Sequence, residues 1–313
     1  MGLIKNQDPK ARIVGRVFIV FILALLLNYM WVVIASRMYL VFNAAILGKT
    51  LTNEIVMQLF STPLFLFLMA LYNVLIAVAV FLFWRRYDQK EFSQMGIVWD
   101  AGAPKLLVQG MLWAFAAMIV IVVVGLITGL LQYTGTGFGQ FGTGTVINNL
   151  IFGIFTFAVI AFGEEVLYRG YIQNNFLDAS DTGTAIFFAA ALYVFGHITI
   201  CHDTFDFINI FLFGLILGYA YLKTHSLYIS IGFHFIWRFF NTVVFNLQNL
   251  DGTGSGVSLF TLKSKGDFFL MNRRWGTRLE LVIFLVELAI LLLFYFTAKK
   301  QEESKSKKKS RKK

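Results

Sequence analysis

Long apolar runs separated by short polar segments make up most of the chain. A hydrocarbon core of ~30 Å takes ~20 apolar residues in helical form. On that ruler the pattern predicts about eight spans, Ile13–Ala35, Thr62–Trp84, Leu106–Leu131, Val146–Tyr171, Thr184–Ile200, Phe207–Tyr221, Leu227–Leu247 and Leu279–Phe296. No soluble domain and no repeat interrupts them. The expected fold is all-α, a polytopic transmembrane helical bundle. It divides into a three-span region (1–145), a four-span core (146–247), a loop with a final span (248–298), and a basic tail (299–313). The first run is longer than the ~7–15 residues of a signal core and lacks a small-residue cleavage site, so it is expected to be a retained span. Asn6 breaks the pattern that would acylate Gly2.

Composition agrees with lipid as the main solvent. Apolar types make up 58% of 313 residues and charged types only 14%, and the mean hydropathy is +0.71. The formal charge of +10 raises the question of a nucleic-acid partner. Its placement answers against one. Lys5, Lys10, Arg12, Arg16, Arg85, Arg86, Lys90 and the tail from Lys299 to Lys313 all flank apolar runs, where cations set orientation and meet anionic headgroups. An even number of spans puts both termini, with these cations, in the cytoplasm. The loop from Gln132 to Thr145 then falls outside. So does the loop from Gln248 to Arg278, which carries Lys263, Lys265, Arg273, Arg274 and Arg278 against the bias. Cys201 is the lone cysteine, so neither a disulfide within the chain nor a thiolate metal site can form.

Ionisable groups at membrane depth are costly and mark partners or cavities. The core region concentrates them. Its first span ends in GEEVLYRGYIQ, where Glu165 and Arg169 are four apart and stack on one helix face. Glu164 points ~100° away, free for another partner. The next span ends in YVFGH with His197, and a third holds GFHFIWRFFN with His234. At ~1.5 Å per residue, Glu164 lies roughly 18 Å, His197 roughly 20 Å and His234 roughly 10 Å from the cytoplasmic ends of their spans. Three groups from three helices thus reach a shared level. His202, Asp203 and Asp206 read as an outer connection, His225 as a solvated inner residue, and Asn209 as a bridge between helices.

A carboxylate with two imidazoles supports two chemistries. Shielded from bulk water, Glu164 can act as general base toward a water attacking an amide. Alternatively, Glu164, His197 and His234 form a first shell for Zn²⁺, which would acidify a bound water. No HExxH occurs, so the one-helix zinc arrangement of soluble proteases is absent.

In order and setting, these pieces resemble the CPBP family of intramembrane proteases, which includes the type II CAAX prenyl endopeptidases and the bacterial Abi, or bacteriocin-immunity, proteins. The family pattern is EExxxR, an aromatic four before a His, and His-xxx-Asn. Glu164, Glu165 and Arg169 complete the first, and Tyr193 with His197 the second. The stretch from Phe207 to Phe235 is similar to the segment leading to the third. The likeness covers about the second half of the chain, up to Leu247.

The resemblance implies an endopeptidase acting on a hydrophobic or prenylated peptide at the lipid bilayer, in a bacterial plasma membrane. It implies Glu164 as water activator or metal ligand with His197 beside it, and Glu165–Arg169 as a supporting pair. His234 would be a ligand or a stabiliser of the oxyanion. The third motif departs, because Arg238 stands where the family has Asn. A guanidinium cannot ligate a metal, but it can donate to an oxyanion or pair with Glu164 or Glu165. Asn241, seven after His234, offers an amide on the same face. An inactive relative that binds a membrane partner is the second expectation, and a proton-relay transporter the third.

Overall fold

The computed structural model describes residues 9–48, 52–247, 256–264 and 273–310. Gly2, Lys5, Asn6, Lys265 and the last three tail residues lie outside the described residues, as do the tail's side chains.

The chain is a helical bundle. Helix α1 (Pro9–Leu47) leads to a short α2 (Asn53–Phe60) and a span built from α3 (Pro63–Ala70) and α4 (Tyr72–Arg86). Helix α5 (Ala103–Ile127) is followed by strand β1 (Leu131–Thr136) and a short α6 (Gly137–Phe141). Helix α7 (Thr143–Glu165) continues through a π-helical turn (Val166–Gln173) into α8 (Asn174–Ala179). Helices α9 (Thr182–Gly196), α10 (Thr204–Thr224) and α11 (Leu227–Phe239) complete the core, before β2 (Phe260–Ser264) and α12 (Arg278–Ser310).

Among the described residues, seven helices are long and apolar enough to cross a membrane. The expected fifth span is shorter than the sequence suggests. Helix α9 has 15 residues, about 22 Å of the ~30 Å required. It stops because His197 leaves helical geometry at φ −112° and ψ 9°, and a 3₁₀ turn (Ile198–Ile200) follows. The chain still runs from one end of the bundle to the other. Arg16 pairs with Asp88, Lys90 with Asp178, Tyr221 with Met95 and Lys223 with Thr297, all at one end of the bundle. At the other end, Thr204 donates to the Arg274 carbonyl, Asn149 to that of Val257, and β1 pairs antiparallel with β2. The start of α1 and residue 297 therefore share an end, while Lys263 and Arg274 lie at the opposite one. The region expected as a loop, Gln132–Thr145, is instead strand, short helix and the start of α7. Its backbone groups find partners in β2, as the ladder of any strand must.

Small residues set the closest helix contacts, as they do where hydrophobic burial cannot drive association in lipid. A Cβ at Gly110 would collide with the Ile229 carbonyl, and one at Gly232 with that of Leu107. Backbone thus meets backbone between α5 and α11. A Cβ at Gly163 would run into the Asn73 backbone, which holds α4 against α7 one residue before Glu164. Large apolar side chains such as Ile19, Leu26, Val41, Leu82 and Phe155 stay exposed on the outside, where acyl chains would cover them. The π-helical turn is enclosed on every side, all eight residues being buried.

Candidate active site

The acid pair sits at the end of α7. Glu165 is completely buried and Glu164 nearly so. In the π-helical turn, which widens the helix and recurs at functional sites, Arg169 Nη1 reaches Glu165 Oε1 at 3.0 Å. Its Nη2 donates to the Gly214 carbonyl on α10 at 2.9 Å, and the guanidinium lies over the Tyr193 ring at 4.8 Å. A buried charge needs such complete pairing.

His234 comes from the middle of α11 and is fully buried. Its Nδ1 lies 2.9 Å from Glu165 Oε1. Because that carboxylate also serves Arg169, the ring nitrogen is the donor and Nε2 is left to face Glu164. That Nε2 is 3.7 Å from Glu164 Oε2 and has no hydrogen-bond partner among the described residues. His197, at the open end of α9, places Nδ1 2.8 Å from the Tyr193 carbonyl. A carbonyl only accepts, so Nδ1 carries a proton here too, and Nε2 points at Glu164 Oε2 at 3.3 Å. Both tautomers follow from the network. Glu164 thus stands between two imidazole nitrogens whose other sides are already committed.

A narrow cleft reaches this group. It has room of about 20 Å³, enough for a water. Glu164, Tyr168, Gly196 and His197 form one wall, and Tyr72 and Asn73 from α4 face them, with α1 adding Phe21, Ala24 and Asn28. Tyr72 and Asn73 follow directly on the interruption between α3 and α4. There the Asn73 amide donates to the Ala70 carbonyl at 3.2 Å, a local bond that competes with regular helix. Sequence reasoning missed this second wall. Its only signal was two Asn residues inside apolar spans, and neither belongs to a motif.

The remaining expected site residues are placed apart from the cleft. Arg238 is half-buried and acts electrostatically on Glu164, Tyr72 and Tyr193, yet forms no ion pair among the described residues. Asn241 lies in a second π-helical turn (Phe240–Val244) with its Oδ1 buried and unpartnered among the described residues. Neither lines the cleft, and neither does His234. Three of the residues expected outside the site make structural contacts. Asp203 caps α10, His225 ends it in the left-handed region at φ 51°, and Asn209 donates to the Glu280 carbonyl across to α12.

Zinc binding by Glu164, His197 and His234 meets a geometric obstacle. Ligands each ~2.0–2.1 Å from one ion cannot be more than ~4.2 Å apart. The two Nε2 atoms both face Glu164, but they are not within 4.8 Å of one another. As placed, the three side chains do not fit a shared metal. Among the described residues only Asp203, Asp206 and Glu280 bring ligand atoms that close. They lie at the far end of the bundle, where Asp203 accepts from the Asp206 N–H at the start of α10 and the Glu280 carboxylate accepts from the Thr277 N–H before α12.

Comparison with protein families adds an independent finding. Residues 146–240 match the family described as type II CAAX prenyl endopeptidase Rce1-like. The matched stretch runs from the start of α7 to the end of α11 and contains both acids, Arg169 and both histidines. No curated protein matches the chain.

Proposed function

With residues 146–240 a segment of the CAAX-protease, or CPBP, type, we propose that this chain is an intramembrane endopeptidase that cleaves a hydrophobic or prenylated, CAAX-type peptide with water activated by Glu164. One observation carries the reading. Glu164, held between the Nε2 atoms of His197 and His234, is the only carboxylate among the described residues that line a water-sized cleft.

The proposed steps use the side chains around the cleft. A water in the cleft gives a proton to Glu164 as its oxygen attacks the peptide carbonyl carbon. His197, 3.3 Å from the same carboxylate oxygen, shares that proton and steadies the acid. The proton then passes to the departing amide nitrogen. Glu165 and Arg169 do not touch the cleft. They fix the His234 ring, which in turn bounds the position of Glu164. In this reading no metal takes part. The end of the bundle that carries Arg85, Arg86, Lys90 and Lys223 faces the cytoplasm, and the substrate approaches from the bilayer past α1 and α4.

The test is cleavage of a prenylated CAAX-like peptide, or of a membrane-tethered reporter, by protein purified in detergent. Turnover is expected, and Glu164→Ala and His197→Ala are each expected to abolish it. If both variants cleave at the wild-type rate, the reading fails.

A second reading keeps the fold without the chemistry, as a protein that binds a membrane partner. Arg238 favours it, since a guanidinium stands where the resembling family has an amide.

A further inference from the structure

Hydrolysis needs a donor for the oxyanion as well as a base for the water. The resembling family has an amide where Arg238 stands, and Arg238 does not line the cleft, so a donor in that role must come from another residue. Resting on the endopeptidase reading above, we propose that the Tyr168 hydroxyl is an oxyanion donor of this site, in direct contact with the reacting carbonyl.

Tyr168 lies four residues after Glu164 and lines the same cleft. Its hydroxyl fills the space left by the missing side chain of Gly196, since a Cβ at that position would collide with the Tyr168 Oη. The residue after Gly196 is His197. The hydroxyl is therefore held beside both the base and its imidazole neighbour. Its ring is locked edge-on against Tyr193, at 4.9 Å between centroids and 79° between planes, and against Phe21 at 6.5 Å. No described residue hydrogen-bonds with the hydroxyl, although a Tyr O–H at such depth ordinarily finds a partner. A fixed, unpaired O–H donor on a cleft wall suits a charge that appears only in the transition state.

The step balances. The water oxygen bonds to the carbonyl carbon while one water proton goes to Glu164. The carbonyl π pair moves onto oxygen, and that oxyanion accepts a hydrogen bond from Tyr168, whose proton stays in place. The carbonyl then re-forms as the C–N bond breaks, and the leaving nitrogen takes the proton held by Glu164.

Tyr168→Phe removes one oxygen and keeps the ring. The expected result is a kcat about 10²-fold lower, with KM within about twofold and an unchanged thermal midpoint. A peptidyl trifluoromethyl ketone, whose hydrate mimics the tetrahedral oxyanion, should bind more weakly by the same factor as kcat/KM. Gly196→Ala, which displaces the hydroxyl, should slow the wild type but add no loss in the Tyr168→Phe background, where the Cβ would stand 3.3 Å from Cζ. If the wild type cleaves and Tyr168→Phe matches it in kcat and in analogue affinity, this inference falls while the endopeptidase reading stands. A Tyr168→Phe loss that tracks lowered thermal stability, with analogue affinity unchanged, also overturns it. A wild type that neither cleaves nor binds the analogue removes both.

Discussion

His234 and Glu165 meet through Nδ1 and Oε1 at 2.9 Å, both side chains wholly buried. The same carboxylate oxygen takes Arg169 at 3.0 Å, so one anion orients a ring and neutralises a guanidinium. Removing its charge leaves Arg169 buried and unpaired. Glu165→Gln is expected to destabilise the protein by about 3–5 kcal/mol, seen as a lower thermal midpoint in detergent. An unchanged midpoint would mean that the pair is not buried as described.

Close backbone contact transmits packing to the site. Gly232 lies two residues before His234 and abuts the Leu107 carbonyl, which belongs to a helix that cannot swing aside like a side chain. Gly232→Ala should cost about 1–3 kcal/mol and shift α11, lowering both turnover and thermal stability. Gly139→Ala, where a Cβ has open space, serves as the neutral control. Equal behaviour of the two variants would contradict the contact.

Metal dependence separates the two chemistries that the sequence leaves open. With the imidazole nitrogens too far apart to share an ion, turnover is expected to survive dialysis against EDTA and o-phenanthroline. Elemental analysis of active protein should find zinc far below one equivalent. Loss of activity that returns on adding zinc would show that the histidines close around a metal.

Arg238 acts on Glu164 from outside the cleft. Arg238→Asn should therefore keep turnover within about threefold of wild type. A loss of about tenfold or more would put the guanidinium in the reaction. Activity that emerges only in the variant would mark the natural chain as a binding protein that retained a protease fold.

Asp181 caps α9, the helix that ends at His197. Hydrogen bonds from the Thr184 hydroxyl and backbone N–H hold its carboxyl below the usual carboxylate range. A lowered folded value means that the cap's contribution is complete above the unfolded value and lost as pH falls through the folded one. Amide exchange at residues 183–185, after allowance for the intrinsic rate, should be unchanged between about pH 7 and pH 5. Asp181→Ala should speed it throughout that range, and an equal increase in the wild type at pH 5 would refute the assignment.

Much of this molecule can be read along the chain. Apolar runs near bilayer length announce helices, because lipid offers no partner to an unpaired peptide group. EExxxR is legible because its members are four apart on one helix, where local geometry alone brings Glu165 to Arg169. His197 and His234 stand out as ionisable groups in apolar surroundings. Which nitrogen each ring turns toward Glu164 is decided elsewhere, by the Tyr193 carbonyl and by Glu165, through contacts made only once α9 and α11 pack beside α7. The early end of α9, the wall formed by Tyr72 and Asn73, and the notch at Gly196 that receives the Tyr168 hydroxyl lie further still from sequence. They arise where helices distant in the chain approach closely, and a one-dimensional pattern records no such distance.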